Sequence, residues 1–179
     1  VSCNLSAYAC TSFFPAKPLG CFGDGGAVFC QTKEHYEKLL QVRNHGQEGR
    51  YYHTQLGYNG RLDTLQCAIL LVKLERYPWE VKQRQKVAKI YDSEFAGLEN
   101  VIVPKIMENR ESVYAQYTLR VKNRAAFQQA LTDEGVPTSI QYPKGMHQQP
   151  IMKELVPYRT QEVTEAICEE VISLPLYAD

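Results

Sequence analysis

The chain has 179 residues, 44% hydrophobic and 22% charged, which is the balance of a folded globular protein with a sizeable core. Twenty basic residues meet twenty acidic ones, so the net charge is zero and no basic field for nucleic acid stands out. No apolar run approaches the ~20 residues that a membrane helix needs, and no metal cluster is legible: the six cysteines include no CxxC pair. Settings such as Ala9-Cys10 and Cys67-Ala68-Ile69 read instead as free buried thiols in a reducing cytoplasm.

The opening residues, Val1 to Tyr8, carry no start methionine and no helix or strand start, and are read as a beginning inside a longer protein. Residues 6–14 read as a short buried strand running into a turn, and residues 27–30 as another, entered through Gly25-Gly26. Lys33–Arg43 is predicted helical from Tyr36, Leu39, Leu40 and Arg43 at helix spacing. Residues 44–59 are polar and aromatic with few aliphatic side chains, so a functional surface loop is expected. From Leu62 to Tyr77 the chain is helical and apolar nearly all round, which predicts a buried helix or one in a subunit interface. Pro78 should end it, because its ring removes a donor and crowds the preceding turn. A second helix is expected over residues 79–95, with Val87, Tyr91 and Phe95 inward and Lys82, Arg84, Lys86 and Lys89 outward as a solvated face.

Gly97 marks an expected domain boundary, giving units 1–97 and 98–179. Beyond it, residues 101–103 form a strand stub. Residues 115–121 alternate as a strand, with Tyr117, Leu119 and Val121 on one face. Asn123 caps a helix that reaches about Glu134, where Gly135 stops it; Phe127, Ala130 and Leu131 are its buried face. Residues 136–141 read as a strand, then comes a loop with Pro143, Gly145 and Pro150, and a last helix spans about 160–172. These elements make a small α+β domain of two or three strands.

The stretch with chemistry in it is Thr11-Ser12-Phe13-Phe14-Pro15-Ala16-Lys17-Pro18-Leu19-Gly20-Cys21-Phe22-Gly23-Asp24-Gly25-Gly26-Ala27. Surface lysines are usually solubilising. Here two prolines flank Lys17, and Phe13, Phe14, Leu19 and Phe22 are expected to surround it with apolar material. A lysine in such a pocket loses its proton more readily and becomes a nucleophile for Schiff-base chemistry. The glycines are expected to take positive φ and let the backbone approach a ligand. Ser12, five residues earlier, could reach the phosphate of a cofactor joined to that lysine. A nucleotide loop does not fit: residues 20–26 match neither GxGxxG nor GxxxxGK[ST], and the lysine precedes the glycines.

SFFPAKPLGCFGDGGA closely resembles the lysine motif of the DegT/DnrJ/EryC1/StrS family, sugar-nucleotide aminotransferases of the fold-type I pyridoxal-phosphate (PLP) architecture. The resemblance continues through residues 43–47 (RNHGQ), is strong in residues 56–66 (LGYNGRLDTLQ), and weakens after Gly97. It implies an α/β fold in which residues 1–97 are the C-terminal part of the large PLP-binding domain and 98–179 a small C-terminal α+β domain. Lys17 matches the lysine that forms the Schiff base with PLP, and Ser12 the serine that contacts the PLP phosphate. Asn59 matches an asparagine that reaches the phosphate of the neighbouring subunit's cofactor, which implies a homodimer with a shared active site. Arg61 is near the sugar-nucleotide site in such enzymes. Tyr142 and His147, in IQYPKGMHQQP, match a loop that helps hold substrate. Some relatives have histidine where Gln141 stands. Without the resemblance, Asn59 reads equally well as a turn residue between Gly57 and Gly60, and His147 as a surface histidine.

The family's upstream block supplies the aspartate that pairs with the pyridine nitrogen, a group stacked on the ring and a helix N-terminus for the phosphate. It is not legible here, so the chain is read as one piece of the enzyme, inactive alone. For the intact enzyme the resemblance implies an amino-acid donor, L-glutamate, a nucleotide-linked keto sugar as acceptor, and proton transfer by freed Lys17. LDTLQCAILLVKLERY is most similar to enzymes making 3-amino sugar uronates for bacterial surface polysaccharide, lipopolysaccharide among them. A cytoplasmic enzyme without metal, membrane or nucleic-acid partners is expected. Two rivals remain: a non-catalytic PLP-fold regulator or scaffold, and another fold-type I PLP enzyme. The intact Lys17, Ser12 and Asn59 weigh against the first, and the GDGG and GYNGRLD motifs against the second.

Overall fold

A computed structural model of the chain describes residues 5–179; Val1–Asn4, and with them Cys3 and half of the opening segment, lie outside the described residues. Two compact units divide the chain, residues 1–78 and 79–179. The chain's own contacts thus divide it at Pro78, within the long helix, while the expected domain boundary lies at Gly97. The reason is packing: Val87, Ala88, Tyr91 and Phe95 join the core of the second unit.

In the first unit, β1 (Tyr8–Ser12) and β2 (Gly26–Cys30) form an antiparallel ribbon with Tyr8 opposite Cys30 and Ser12 opposite Gly26. The sequence predicts buried strands here; instead the residues of β1 alternate between exposed and half-buried. An isolated two-stranded ribbon has no third layer to cover its outer face. The thiols follow suit: Cys21 and Cys168 are buried, but Cys10 is exposed and Cys30 and Cys67 are only partly covered. Helix α1 (Lys33–Arg43) has the predicted bounds. Thr32 Oγ1 caps it by accepting the His35 N–H at 3.2 Å, and Glu34 and Arg43 complement its dipole at either end. The polar loop that follows holds a small hairpin, β3 (Gln47–Gly49) and β4 (Tyr52–His53).

Helix α2 (Thr64–Glu94) runs through Pro78 without ending. The sequence predicts two helices broken there. Proline costs one i→i−4 bond and crowds the preceding turn, about 3 kcal/mol in all. Long runs of Leu, Lys, Glu, Gln, Arg and Ala on both sides propagate the helix past it. Its first half is not buried within the chain as expected. Leu70 is covered, but Leu65, Leu71, Val72 and Leu74 are all more than half exposed.

The second unit is built on an antiparallel sheet in the order β5 (Val101–Ile102), β6 (Tyr117–Val121), β7 (Val171–Leu174). On central β6 the predicted alternation holds: Tyr117, Leu119 and Val121 are buried. They pack with Ala88, Ile172, Leu174 and Leu176, and Phe127 and Leu131 of α3 (Arg124–Asp133) pack against that cluster. Ala130 is exposed, outside the face expected to be buried. Asn123 caps α3, and Gly135 beyond it takes φ +73°, the left-handed turn that glycine permits. Arg84 does not join its lysine neighbours in solvent; its Nη1 donates to the carbonyls of Tyr114 and Leu176. Residues 136–141 make a single bridge, Ser139 to Ser173, and not a strand. The third strand comes instead from residues 171–174, straight after α5 (Glu162–Glu170); the expected helix stops two residues short of Ile172. Helix α4 (Pro150–Leu155) completes the unit. Among the described residues no helix is long and apolar enough to cross a membrane.

Candidate active site

Residues 13–25 are the loop that joins β1 to β2. The Phe13 N–H donates to the Gly25 carbonyl at 2.8 Å and extends the ribbon by one step. The Lys17 N–H donates to the Phe14 carbonyl at 2.8 Å and closes a turn with Pro15 at its second position, where proline's fixed φ is an advantage. Cys21 N–H then donates to the Phe13 carbonyl at 2.7 Å and folds the loop back on itself. At Gly20 a Cβ would stand 2.6 Å from the Phe14 oxygen and 2.7 Å from the Pro15 oxygen, so the loop closes only around glycine. The glycines of 20–26 thus serve close approach; the positive-φ glycines lie elsewhere, at 46, 97 and 135. Two side chains of α2 brace the loop. Gln66 Oε1 accepts the Phe22 N–H at 2.9 Å, and Lys73 Nζ donates to the Gly20 carbonyl at 2.7 Å.

Lys17 stands at the outer end of this braced loop and is exposed. The apolar pocket expected around it does not form in this chain: Phe14 is 51% and Phe22 76% exposed. The loop's covered interior is taken by Gly20 and Cys21, and over the Phe22 ring stands the Lys73 ammonium, 5.7 Å from its centroid. Ser12 closes β1 on the same hairpin. Its Oγ accepts the Phe14 N–H at 3.1 Å, which leaves the hydroxyl hydrogen as a donor for an anion. A primary amine on a rigid loop and a hydroxyl at the loop's base are the donor set that an aldehyde- and phosphate-bearing cofactor requires. The residues present fit PLP, and Lys17 and Ser12 are the side chains that would hold it.

Asn59 and Arg61 come together on a second rim of this unit. The strand-like segment 58–60 is laced to the end of α1: Tyr58 N–H donates to the Val42 carbonyl, and Gly60 N–H to that of Arg43, both at 2.8 Å. Asn59 bridges to Asn44. Arg61 Nη1 donates to Asn44 Oδ1 at 2.7 Å, and Asn44 Nδ2 donates to Gln47 Oε1 at 3.2 Å. The two backbones cross so tightly that a Cβ on Gly57 would lie 2.1 Å from the Gly46 nitrogen. Asn59 and Arg61 are exposed on this frame. A groove of about 520 Å³, lined by Phe13, Ala27, Leu40, Tyr58 and Leu62 among others, runs between the base of the lysine loop and this rim.

Tyr142 and His147 belong to the second unit. Tyr142 is 70% exposed. His147 is mostly covered, with Nε2 2.9 Å from Glu165 Oε1. Three braces escaped the sequence reading: Gln66, Lys73 and Asn44. Lys73 had a legible signal, a lone cation in the apolar run Ile69–Leu74. Gln66 and Asn44 sit inside the recognised motifs, but nothing in the spacing tells a brace from a ligand. Among the described residues no three His, Cys, Asp or Glu side chains gather as a metal site would need.

The chain is 47% identical to the UDP-2-acetamido-2-deoxy-3-oxo-D-glucuronate aminotransferase of Pseudomonas aeruginosa, over 98% of this chain and 48% of that protein. It is 38% identical to the Pleiotropic regulatory protein of Geobacillus stearothermophilus, again over 98% and 48%. Among solved structures, S. venezuelae DesV in complex with a ketimine intermediate superposes with a TM-score of 0.91 at 32% identity, covering 96% of this chain and 46% of that one. The chain thus spans about half the length of the relatives it matches. Such neighbours are consistent with the fold-type I architecture. The model of the DegT/DnrJ/EryC1/StrS aminotransferase family matches residues 1–179, and the chain belongs to that family.

Proposed function

We propose that the protein to which this chain belongs is a PLP-dependent aminotransferase that moves an amino group from an amino acid, L-glutamate, to a nucleotide-linked keto sugar in the cytoplasm. The observation that carries the reading is Lys17 on its braced loop above Ser12, in a chain of this family. The likeness to the Pseudomonas enzyme favours a UDP-linked 3-keto uronate and surface-polysaccharide or amino-sugar synthesis. Residues 1–97 are assigned to the C-terminal part of the large PLP-binding domain, and 98–179 to the small domain. In the large-domain assignment, the last turns of α2 reach into the packing of the second unit.

Bound PLP supplies the electron sink. Lys17 would hold the cofactor at rest, and its amine, once free, would take the proton from the donor's Cα and return it, base and then acid. Ser12 donates its hydroxyl hydrogen to the phosphate. Asn59 reaches the phosphate of the neighbouring subunit's cofactor in a homodimer. Arg61 places its cation toward the sugar nucleotide, and the loop with Tyr142 and His147 closes the substrate side. The exposed apolar residues of α2 support a dimer, because patches of this kind mark surfaces that pair.

The deciding experiment loads the full-length protein and its Lys17→Ala variant with PLP and follows the cofactor's absorbance on adding L-glutamate. The parent is expected to show the lysine-bound band and to convert it to the pyridoxamine form; the variant does neither. A parent that binds no PLP covalently would overturn the proposal. That outcome would favour a regulatory role, which the Geobacillus relative's name keeps in view.

A further inference from the structure

We infer that Glu165 is a positioning residue for the proposed sugar-nucleotide site: through His147 it fixes the 141–149 loop so that Tyr142 is presented outward. The inference rests on the reading of that loop as part of the substrate site. Glu165 Oε1 is the meeting point of three groups: His147 Nε2 at 2.9 Å, the Tyr158 hydroxyl at 2.9 Å and the Gln161 N–H at 3.0 Å. A carboxylate oxygen only accepts, so all three act as donors, and His147 carries a hydrogen on Nε2.

The rest of the imidazole is occupied as well. A Cβ on Gly145 would lie 2.6 Å from His147 Cε1 and 2.8 Å from Nδ1, so the ring lies directly against that backbone. The Tyr158 ring is 5.8 Å away, centroid to centroid. With its side chain only 19% exposed, His147 is built as a strut and not as a group that meets substrate.

The loop is held at its other end too. Gln141 Oε1 accepts from Ser173 Oγ at 2.9 Å, and Ser173 is buried at 3% exposure. Glu165 lies on α5 and Ser173 on β7, which follows α5 without a break, so one continuous element anchors both ends of the loop. Tyr142 stands next to the first anchor, 70% exposed. A reach of substrate by Tyr142 depends on how rigidly those anchors hold, and rigid placement of a binding group is worth large factors in affinity or rate.

The test uses the full-length, PLP-loaded protein with Glu165→Ala and Glu165→Gln. Three readouts are taken: the Kd for UDP-glucuronate as an unreactive probe, conversion of the cofactor by L-glutamate, and hydrogen exchange across residues 141–149. Glu165→Ala is expected to weaken the probe by about tenfold or more, speed exchange in the loop and leave the glutamate step unchanged. Glu165→Gln, whose amide oxygen can accept the same bonds, is expected to recover most of the affinity. Unchanged exchange, unchanged affinity, or equal loss in both the glutamate step and probe binding would overturn the inference. A parent that fails with glutamate or with the probe overturns the proposed function instead; exchange in the loop then decides the role of Glu165 by itself.

Discussion

At Gly20 a missing Cβ decides whether the lysine loop can close. Two carbonyl oxygens stand within 2.7 Å of where that carbon would be, and both belong to the backbone, which cannot swing aside as the end of a flexible side chain can. Gly20→Ala is therefore expected to open the loop and displace Lys17, lowering turnover of the full-length enzyme by about a hundredfold, since small misplacements of reacting groups cost that much. Cofactor absorbance on titration with PLP checks it; a variant that takes up PLP like the parent would contradict the account. Glu165 makes a different kind of prediction. Its carboxyl is held below the ordinary value of 4.5, first by the Gln161 N–H and then by His147 and Tyr158. A carboxyl depressed in the folded state stabilises it above the unfolded-state pKa, and that contribution is lost as pH falls through the lower folded value. Melting temperature should therefore fall on acidification below about pH 4.5 more steeply for the parent than for Glu165→Gln, which has no proton to gain.

Elements were legible where one local rule dominates. Thr32 as cap, Glu34 and Arg43 at the ends and the periodic Tyr36, Leu39 and Leu40 all agree on α1, and its bounds match. On β6 the alternation of Tyr117, Leu119 and Val121 carries both the strand and its buried face. Where two rules compete, the sequence misleads. Pro78 is a breaker by itself, yet strong helix formers on both sides outweigh it. Val171–Leu174 is a short stretch, apolar but for Ser173, attached to a helix, and periodicity cannot separate a fully buried strand from the end of a helix. The site divides the same way. Lys17, Ser12 and Asn59 are legible as motif residues, whereas the apolar surroundings expected for Lys17 depend on packing that its neighbours in sequence do not provide. Both cases yield mutations. Pro78→Ala should stabilise by up to about 3 kcal/mol, because it restores a helix bond and removes the ring. Leu119→Ala, in the fully buried centre of β6, should destabilise by about 2–5 kcal/mol. Urea unfolding of each variant measures both, and a neutral Leu119→Ala would show that the cluster around Ile172 is not the core it is taken to be.

The whole molecule raises the question of where its active site is completed. Lys17 and Asn59 both lie in the first unit, but the family resemblance has Asn59 serving the cofactor of the neighbouring subunit. On the proposed reading, the exposed Leu65, Leu71 and Val72 on α2 would supply apolar surface for such pairing. The arrangement can be tested without any structure of the dimer. Full-length Lys17→Ala and Asn59→Ala are each expected to be nearly inactive, the first for want of the amine and the second for want of a phosphate contact. Unfolded together and refolded as an equal mixture, half the dimers pair one subunit of each kind. In such a dimer one site has both Lys17 and Asn59, from different subunits, and the other has neither. Activity should return to about a quarter of the parent's, the value random pairing of a two-fold dimer dictates. If Asn59 instead served its own subunit, every site in the mixture would lack one of the two groups, and no activity would return. Mixing without unfolding gives the baseline, because dimers that do not exchange subunits form no mixed sites.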